Sequence, residues 1–202
     1  MQRQGGGGMR ADIGDATQRV SVTVTFLRMD RPPVQPLPPL PPGAVIRALP
    51  DCSVAQYRAL YNGVGGPHLW WLRRVMPDRE LAQHLRRATV VVTGLYADGA
   101  LSGFYELDSL HFPTVNLSYF GLMPQAIGRG FGRALLRHAV DAAWRQGAHA
   151  ITVNTCTADH PRAMPTYKEA GFQMVREVHE QWHVPVRLGL AIPAHLLARG
   201  SP

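Results

Sequence analysis

Cysteine, lysine and long apolar runs are scarce in this 202-residue chain. The two cysteines, Cys52 and Cys156, have no neighbours at zinc-ligand spacing, so we expect two reduced thiols and no metal site. The longest apolar runs fall far short of the ~20 residues that span a bilayer. No charged-then-apolar segment opens the chain, so we expect a cytoplasmic protein that is neither secreted nor bound to a membrane.

Lysine is almost absent, because arginine supplies 20 of the 21 basic residues and Lys168 is the only lysine. The formal net charge of +7 has two explanations, the codon usage of a GC-rich genome or an anionic partner. Nucleic acid would require a dense basic patch with interleaved aromatic residues, and the sequence has none. A small phosphorylated ligand fits the scattered arginines, so we expect no nucleic-acid partner.

The composition divides the chain into four parts. Residues 1–19 are glycine-rich at 5–8 and predict a disordered leader, and 20–43 contain a strand and then a proline-rich stretch. That stretch indicates a rigid polyproline strap, with a ligand for a polyproline-binding domain as the alternative. We expect residues 44–190 to form one domain, since 46% hydrophobic content can supply a core, and 191–202 to form a tail.

Apolar periodicity predicts an α/β protein with a mixed sheet. The predicted strands cover 19–27, 44–49, two runs within 89–109 that flank Asp98-Gly99, 114–123, 150–156, 172–182 and a last one over 185–191. The predicted helices cover 51–64 with Asp51 as its N-cap, a segment that begins near Pro77-Asp78, 129–146 and 160–170.

Three glycines, Gly128, Gly130 and Gly132, stand where the helix over 129–146 must begin. Glycine is a poor helix former, so this placement indicates that the backbone approaches an anion at the helix N-terminus. The absence of lysine from this segment weakens the interpretation as a Walker A loop, and the G-x-G-x-G spacing weakens that as a dinucleotide fingerprint.

Two motifs resemble the GCN5-related N-acetyltransferase (GNAT) superfamily. The segment from Ile127 to Gly132 is similar to its [QR]-x-x-G-x-[GA] signature, with Ile127 in place of Gln or Arg. In "DHPRAMPTYKEAGF", Tyr167 stands in register with the superfamily's tyrosine, and His160 replaces the usual asparagine. The resemblance covers roughly 44–182 and suggests a bacterial branch. It implies a central mixed sheet whose parallel strands, 114–122 and 150–156, splay apart.

The resemblance implies that acetyl-CoA is the co-substrate. The backbone from Ile127 to Gly132 would wrap the pyrophosphate, with charge-assisted contacts from Arg129 and Arg133. Backbone groups of the Phe120–Leu122 segment would hold the pantetheine arm, and His160 would lie at the same site. For Arg137 and Arg145, which flank Asp141 at i,i+4 spacing, we favour a salt-bridged helix face.

Acetyl transfer in this superfamily is direct and requires a proton acceptor and a proton donor. Tyr167 is predicted to protonate the leaving thiolate. Glu106, on a central strand and facing away from Tyr105 and Leu107, is the predicted base, with Asp108 as a weaker candidate. A salt-bridged Glu106 is the alternative.

The acceptor pocket is predicted at Trp70 and Trp71, with one ring in the pocket and the other in the core. Tyr119 and Asp159 are further candidates, although Tyr119 could be core and Asp159 could cap the next helix. Cys156 is not expected to act as a nucleophile, because no partner base is identifiable.

We therefore expect an N-acetyltransferase acting on a primary amine. A longer acyl group, or a non-catalytic CoA-binding module, is the alternative. The acceptor, whether an antibiotic, polyamine, amino acid or protein N-terminus, stays open. We expect homodimers, if formed, to use an exposed first strand.

Overall fold

One mixed sheet of seven strands organises the chain, and the computed structural model describes residues 15–37 and 39–197. The strands are β1 Thr17–Met29, β2 Ala44–Ala48, β3 Val90–Ala97, β4 Ala100–His111, β5 Thr114–Leu122, β6 Ala150–Cys156 and β7 Gln173–Pro185. The helices are α1 Val54–Gly65, α2 Leu72–Val75, α3 Asp78–Leu85, α4 Phe131–Arg145 and α5 Ala163–Glu169. Short 3-10 turns occupy Gly66–His68, Pro124–Ala126, Val186–Leu188 and Ala194–Leu196. The predicted α/β class with a mixed sheet is confirmed.

The sheet has the order β2-β3-β4-β5-β6-β1-β7, and its one parallel pair is β5 with β6. This pairing starts at Thr114–Ala150 and ends at Asn116–Thr152, although β5 continues to Leu122 and β6 to Cys156. The predicted splay between these strands is therefore present, and it opens a gap in the middle of the sheet.

Strand β1 lies inside the sheet, paired with β6 on one side and with β7 on the other. The expectation of an exposed first strand is wrong, because the edges of the sheet are β2 and β7. A bulge at Phe26/Leu27 changes which residues face inward. Val20, Val22 and Val24 are buried before the bulge, and Leu27 and Met29 are buried after it in a different core cluster.

Helices cover both faces of the sheet. Tyr105 and Leu107 of β4 join the core formed with α4 and α5, whereas Phe104 joins the core formed with α1 and α3. Because successive side chains of a strand point to opposite faces, these cores lie on opposite sides of the sheet. A third core lies between β1, β7 and Leu196.

Several predicted boundaries shift. Helix α1 begins after Ser53, whose Oγ accepts a hydrogen bond from the backbone N–H of Gln56 at 3.1 Å, so the N-cap prediction for Asp51 is wrong. The last predicted strand is also wrong, because the 3-10 turn Val186–Leu188 follows β7. Residues 1–14 of the predicted leader lie outside the described residues, and residues 17–19 belong to β1.

The proline-rich segment joins β1 to β2, and Arg137 of α4 donates hydrogen bonds to the carbonyls of Pro33 and Gln35. Arg145 pairs with Asp141 at 2.7 Å, so the predicted salt-bridged face is present for Arg145, whereas Arg137 bonds the proline-rich segment instead. None of the helices in the described residues has the length and apolar content that crossing a bilayer requires.

Candidate active site

A cleft of about 630 Å³ lies at the gap between β5 and β6. Phe120 and Leu122 line it, and they belong to the part of β5 that extends past its last pair with β6. The β5 backbone is paired with β4 on its other side. The free edge of β5 can therefore hydrogen-bond an extended ligand as an added strand would.

The glycine loop forms one end of this cleft. Gly128 and Gly130 have φ values of +84° and +80°, and both line the cleft together with Ile127 and Gly132. Gly130 immediately precedes α4 and provides no side-chain cap for the helix N-terminus. The first backbone N–H groups of α4 are thus available to an anion, and positive φ explains why glycine is needed at two of the three positions.

The two arginines of the loop differ in position. Arg133 lines the cleft and pairs with Glu169 of α5 at 2.9 Å. Arg129 is not among the described residues that line the cleft; it pairs with Asp98 at 2.7 Å and its guanidinium lies 4.7 Å from the centre of the Phe131 ring. The structure therefore gives no support to the predicted contact between Arg129 and the ligand.

Tyr167 projects from α5 into the wall of the cleft and is 6% exposed. Its ring lies 6.0 Å from Phe120 and 5.9 Å from Phe172, measured between centroids. Burial, assisted by the negative charge of Asp159, raises the pKa of Tyr167 well above its usual value. The phenol is therefore protonated at neutral pH and can donate its proton or a hydrogen bond.

Asp159 lies just after β6, beside Tyr167. Its Oδ2 accepts hydrogen bonds from Thr155 Oγ1 and from the backbone N–H of Cys156, both at 2.9 Å, and its Oδ1 accepts from Trp70 Nε1 at 3.2 Å. The alternative role as a helix cap is wrong, because Arg162 occupies the N-cap position of α5. Asp159 instead connects the end of β6 to the segment that follows α1.

Two imidazoles line the cleft next to Asp159. His160, which the sequence placed here, accepts a hydrogen bond on Nδ1 from the backbone N–H of Arg162 at 3.1 Å. His68, which the sequence analysis missed, has its ring centroid 5.9 Å from that of His160. Burial lowers the pKa of His68, and the charge of Asp159 only partly opposes this. His68 is therefore a neutral base at pH 7.

The backbone adopts an unusual conformation directly after the 3-10 turn Gly66–His68. Leu69 is buried at 1% exposure and has a φ of +54°, in the left-handed region that non-glycine residues rarely adopt. The turn places both His68 and Trp70, on either side of Leu69, along the cleft. The Gly-Gly-Pro sequence before His68 indicated a sharp turn, but it carried no signal for the position of the imidazole.

Aromatic rings form a continuous wall in the cleft. The ring centroids of Tyr61, Trp70 and Tyr119 lie 5.0 to 5.3 Å from one another. Trp71 also lines the cleft, packed against the core of β1 and β7. One tryptophan does pack against a core, as predicted, but the cleft is lined by both rings rather than by one. The segment after α1 is not a regular helix that would separate neighbouring side chains.

Glu106 is fully buried and is not among the described residues that line the cleft. It accepts a hydrogen bond from the Tyr57 hydroxyl, and it pairs with Arg73 at 3.2 Å and with His84 at 3.0 Å. Burial by itself would raise the pKa of Glu106, but the His84 hydrogen bond and the Arg73 charge outweigh it and lower the pKa. The structure therefore favours the salt-bridged alternative over the predicted role as base.

The surroundings of Asp108 and Cys156 do not favour a role as base or nucleophile. Asp108 is buried outside the cleft and accepts a hydrogen bond from the backbone N–H of Leu110 at 2.9 Å. Cys156 lines the cleft, but burial and the charge of Asp159 raise its pKa to about 12, so it carries no thiolate at neutral pH. Among the described residues, no three His, Cys, Asp or Glu side chains form a group that could hold a metal ion.

The mixed sheet splits between its two parallel strands, and a glycine loop opens α4 at the split. Residues 57–172 match the model of the acetyltransferase (GNAT) family, which is more than half of the chain, and the chain belongs to this family.

Solved structures of GCN5-related N-acetyltransferases are similar to this chain in fold. The one from Sphaerobacter thermophilus is 20% identical with a TM-score of 0.55, and the match covers 85% of this chain and 54% of that chain. The one from Kribbella flavida is 14% identical with a TM-score of 0.57, and covers 83% and 60% respectively. This chain thus spans a little over half the length of these structures. No curated protein sequence matches it.

Proposed function

We propose that this chain is an N-acetyltransferase that transfers the acetyl group of acetyl-CoA directly to a primary amine. The observation that carries the proposal is that the free edge of β5, the uncapped N-terminus of α4 and the protonated Tyr167 all line one cleft. An anionic pyrophosphate fits the helix N-terminus, and an extended amide-containing arm fits the free strand edge.

Acetyl-CoA supplies an activated acyl group as a thioester. In the transfer, a bond forms between the amine nitrogen and the carbonyl carbon, the carbon–sulfur bond breaks, and the amine loses a proton while the sulfur gains one. We assign the proton donation to the sulfur to Tyr167, because this residue lines the cleft and burial keeps its phenol protonated at neutral pH.

His68 replaces Glu106 as the group that accepts the amine proton. It lines the cleft and is neutral at pH 7, whereas Glu106 is held in a buried ion cluster. A base must lie within hydrogen-bond reach of its substrate, directly or through one water molecule, and only the cleft position satisfies this.

The experiment is thiol release from acetyl-CoA in the presence of a broad panel of primary amines. Amine-dependent thiol release, with an N-acetylated product in the mass spectrum, is expected. The same assay with butyryl-CoA and longer acyl-CoAs tests the alternative donor. Calorimetric binding of CoA without turnover of any amine or acyl-CoA would instead identify a CoA-binding module.

A further inference from the structure

The acceptor end of the cleft is lined by many aromatic rings and, among the described residues, by one carboxylate that has no ion-pair partner, that of Asp159. We propose that it takes a primary monoamine with a flat apolar body, whose ammonium group is bound by Asp159. This inference rests on the proposed acetyl transfer and names the substrate class of the same site.

The rings supply apolar surface for such a body. Tyr61, Trp70 and Tyr119 form the continuous aromatic wall, and the three are in mutual contact. Trp71 and Trp182 belong to a different core cluster, that of β1 and β7, and line the same cleft. Because two separate cores contribute rings, the pocket is lined by aromatic surface from more than one direction, which favours stacking on a flat ligand.

The carboxylates of the cleft determine how many positive charges it accepts. Among the described residues that line it, only Asp159 and Glu169 are acidic, and Glu169 is already paired with Arg133. The donors to Asp159 are the neutral groups of Trp70, Thr155 and Cys156. The charge of Asp159 is therefore left for a ligand, and one carboxylate suits one ammonium group.

The position of Asp159 places that ammonium group near the reacting atoms. Asp159, Tyr167 and His68 all line the cleft, and the ring of His160, the residue after Asp159, lies 5.9 Å from that of His68. The charge of Asp159 also acts on the pKa of both Tyr167 and His68, which agrees with this proximity. An amine bound at Asp159 is thus held in the same cleft as the proposed proton donor, Tyr167, and the proposed proton acceptor, His68. This is where the nitrogen must be when the transfer begins.

The same arrangement disfavours two other classes of amine. Each additional ammonium group of a polyamine or aminoglycoside would meet aromatic faces but no second free carboxylate among the described lining residues. Cation–π attraction offsets only part of the cost of burying an unpaired charge. An amino acid would bring its own carboxylate next to Asp159, and like charges at short distance repel.

The test is a comparison of matched amines with the full-length protein and acetyl-CoA. We expect kcat/KM for 2-phenylethylamine to exceed the values for spermidine and for phenylalanine by more than about tenfold. Spermidine brings additional ammonium groups, and phenylalanine brings a carboxylate next to Asp159, so each has a charge that the cleft leaves unpaired. Spermidine or phenylalanine turned over as well as 2-phenylethylamine would overturn the proposal. These ratios are measured on the wild-type protein and do not depend on any variant folding.

A binding measurement separates this inference from the acetyl transfer itself. Calorimetric titration with 2-phenylethylamine and with the uncharged 2-phenylethanol requires no turnover. Asp159→Asn should weaken binding of the amine about tenfold or more and change binding of the alcohol little, because only the amine uses the carboxylate charge. Asp141→Asn, which removes a carboxylate on the outer face of α4, is the control and should change neither.

In the binding measurements, three further outcomes would overturn the inference. These are no binding of 2-phenylethylamine to the wild type, an equal loss of amine and alcohol binding in Asp159→Asn, and tighter binding of spermidine than of 2-phenylethylamine. If 2-phenylethylamine binds selectively but no amine is acetylated, the inference stands and the proposed function fails.

Discussion

Replacing Glu106 with glutamine is expected to lower stability strongly and to leave the chemistry nearly intact. Glutamine keeps the shape of the side chain, but its one oxygen can replace either Oε1, which faces His84 and Arg73, or Oε2, which accepts from Tyr57. It also leaves the charge of Arg73 unbalanced. The Glu106 side chain has 0% exposure and that of Arg73 has 12%, so water can do little to stabilise the remaining cation.

The magnitude follows from this burial. Removing one partner of a buried ion pair typically costs about 3–5 kcal/mol. The ring of Tyr119, 5.4 Å from the Arg73 guanidinium, compensates a little, so we take about 3 kcal/mol. For a chain of this size the melting temperature should fall by ~6–12 °C.

The pH dependence has a definite sign. The pKa of Glu106 is lowered in the folded protein, so its stabilising contribution is present above the unfolded pKa of ~4.3 and is lost as the pH falls through the folded value. The stability difference between wild type and Glu106→Gln should therefore be constant near neutral pH and should shrink in acid below about pH 4.

Urea-induced unfolding and thiol release are measured on the same preparations. Asp78→Asn is the matched control, since it breaks an arginine–carboxylate pair whose Asp78 side chain is 80% exposed, and it should cost less than ~1 kcal/mol. The reasoning is refuted if Glu106→Gln unfolds like the wild type while kcat/KM falls ~100-fold or more, because that result identifies a general base.

Three further predictions address the cleft. Gly130→Asp should weaken CoA binding, measured by calorimetry, more than about tenfold. Gly99→Asp is the control, since Gly99 has almost the same φ (+81° against +80°) but lies in the β3–β4 turn, and it should not weaken binding. Equal losses of CoA affinity in the two variants would refute the assignment of the glycine loop to phosphate binding. Tyr167→Phe should reduce kcat about tenfold or more with little change in CoA affinity or melting temperature, and a kcat within about twofold of wild type would show that solvent protonates the thiolate. kcat/KM should fall as the pH is lowered and His68 becomes protonated, with the midpoint of this fall below pH 6.5 because the pKa of His68 is lowered. His68→Gln should abolish this acid-side fall of kcat/KM; if the fall is unchanged in the variant, it belongs to another group.

The glycine loop and Tyr167 could be read from the sequence because their determinants are local. Positive φ at Gly128 and Gly130 restricts those positions largely to glycine, and the loop lies next to the helix that it opens. The register of Tyr167 within its own short motif likewise depends on a few neighbouring residues. The alternation along β4 also placed Glu106 correctly, on the face opposite Tyr105 and Leu107.

Only the tertiary structure decided which residues contact the two faces of a strand such as β4 and which strands lie beside β1. A strand with the alternation of β1 looks the same at the edge of a sheet and between two partners, and its neighbours here are more than 120 residues away. The environment of Glu106 depends on Tyr57, Arg73 and His84, which lie on three different helices or their ends. The cleft brings His68 next to His160 across some 90 residues of chain. Sequence periodicity determines which side of an element is apolar, whereas long-range pairing determines whether a polar group on it meets solvent, a ligand or another charge.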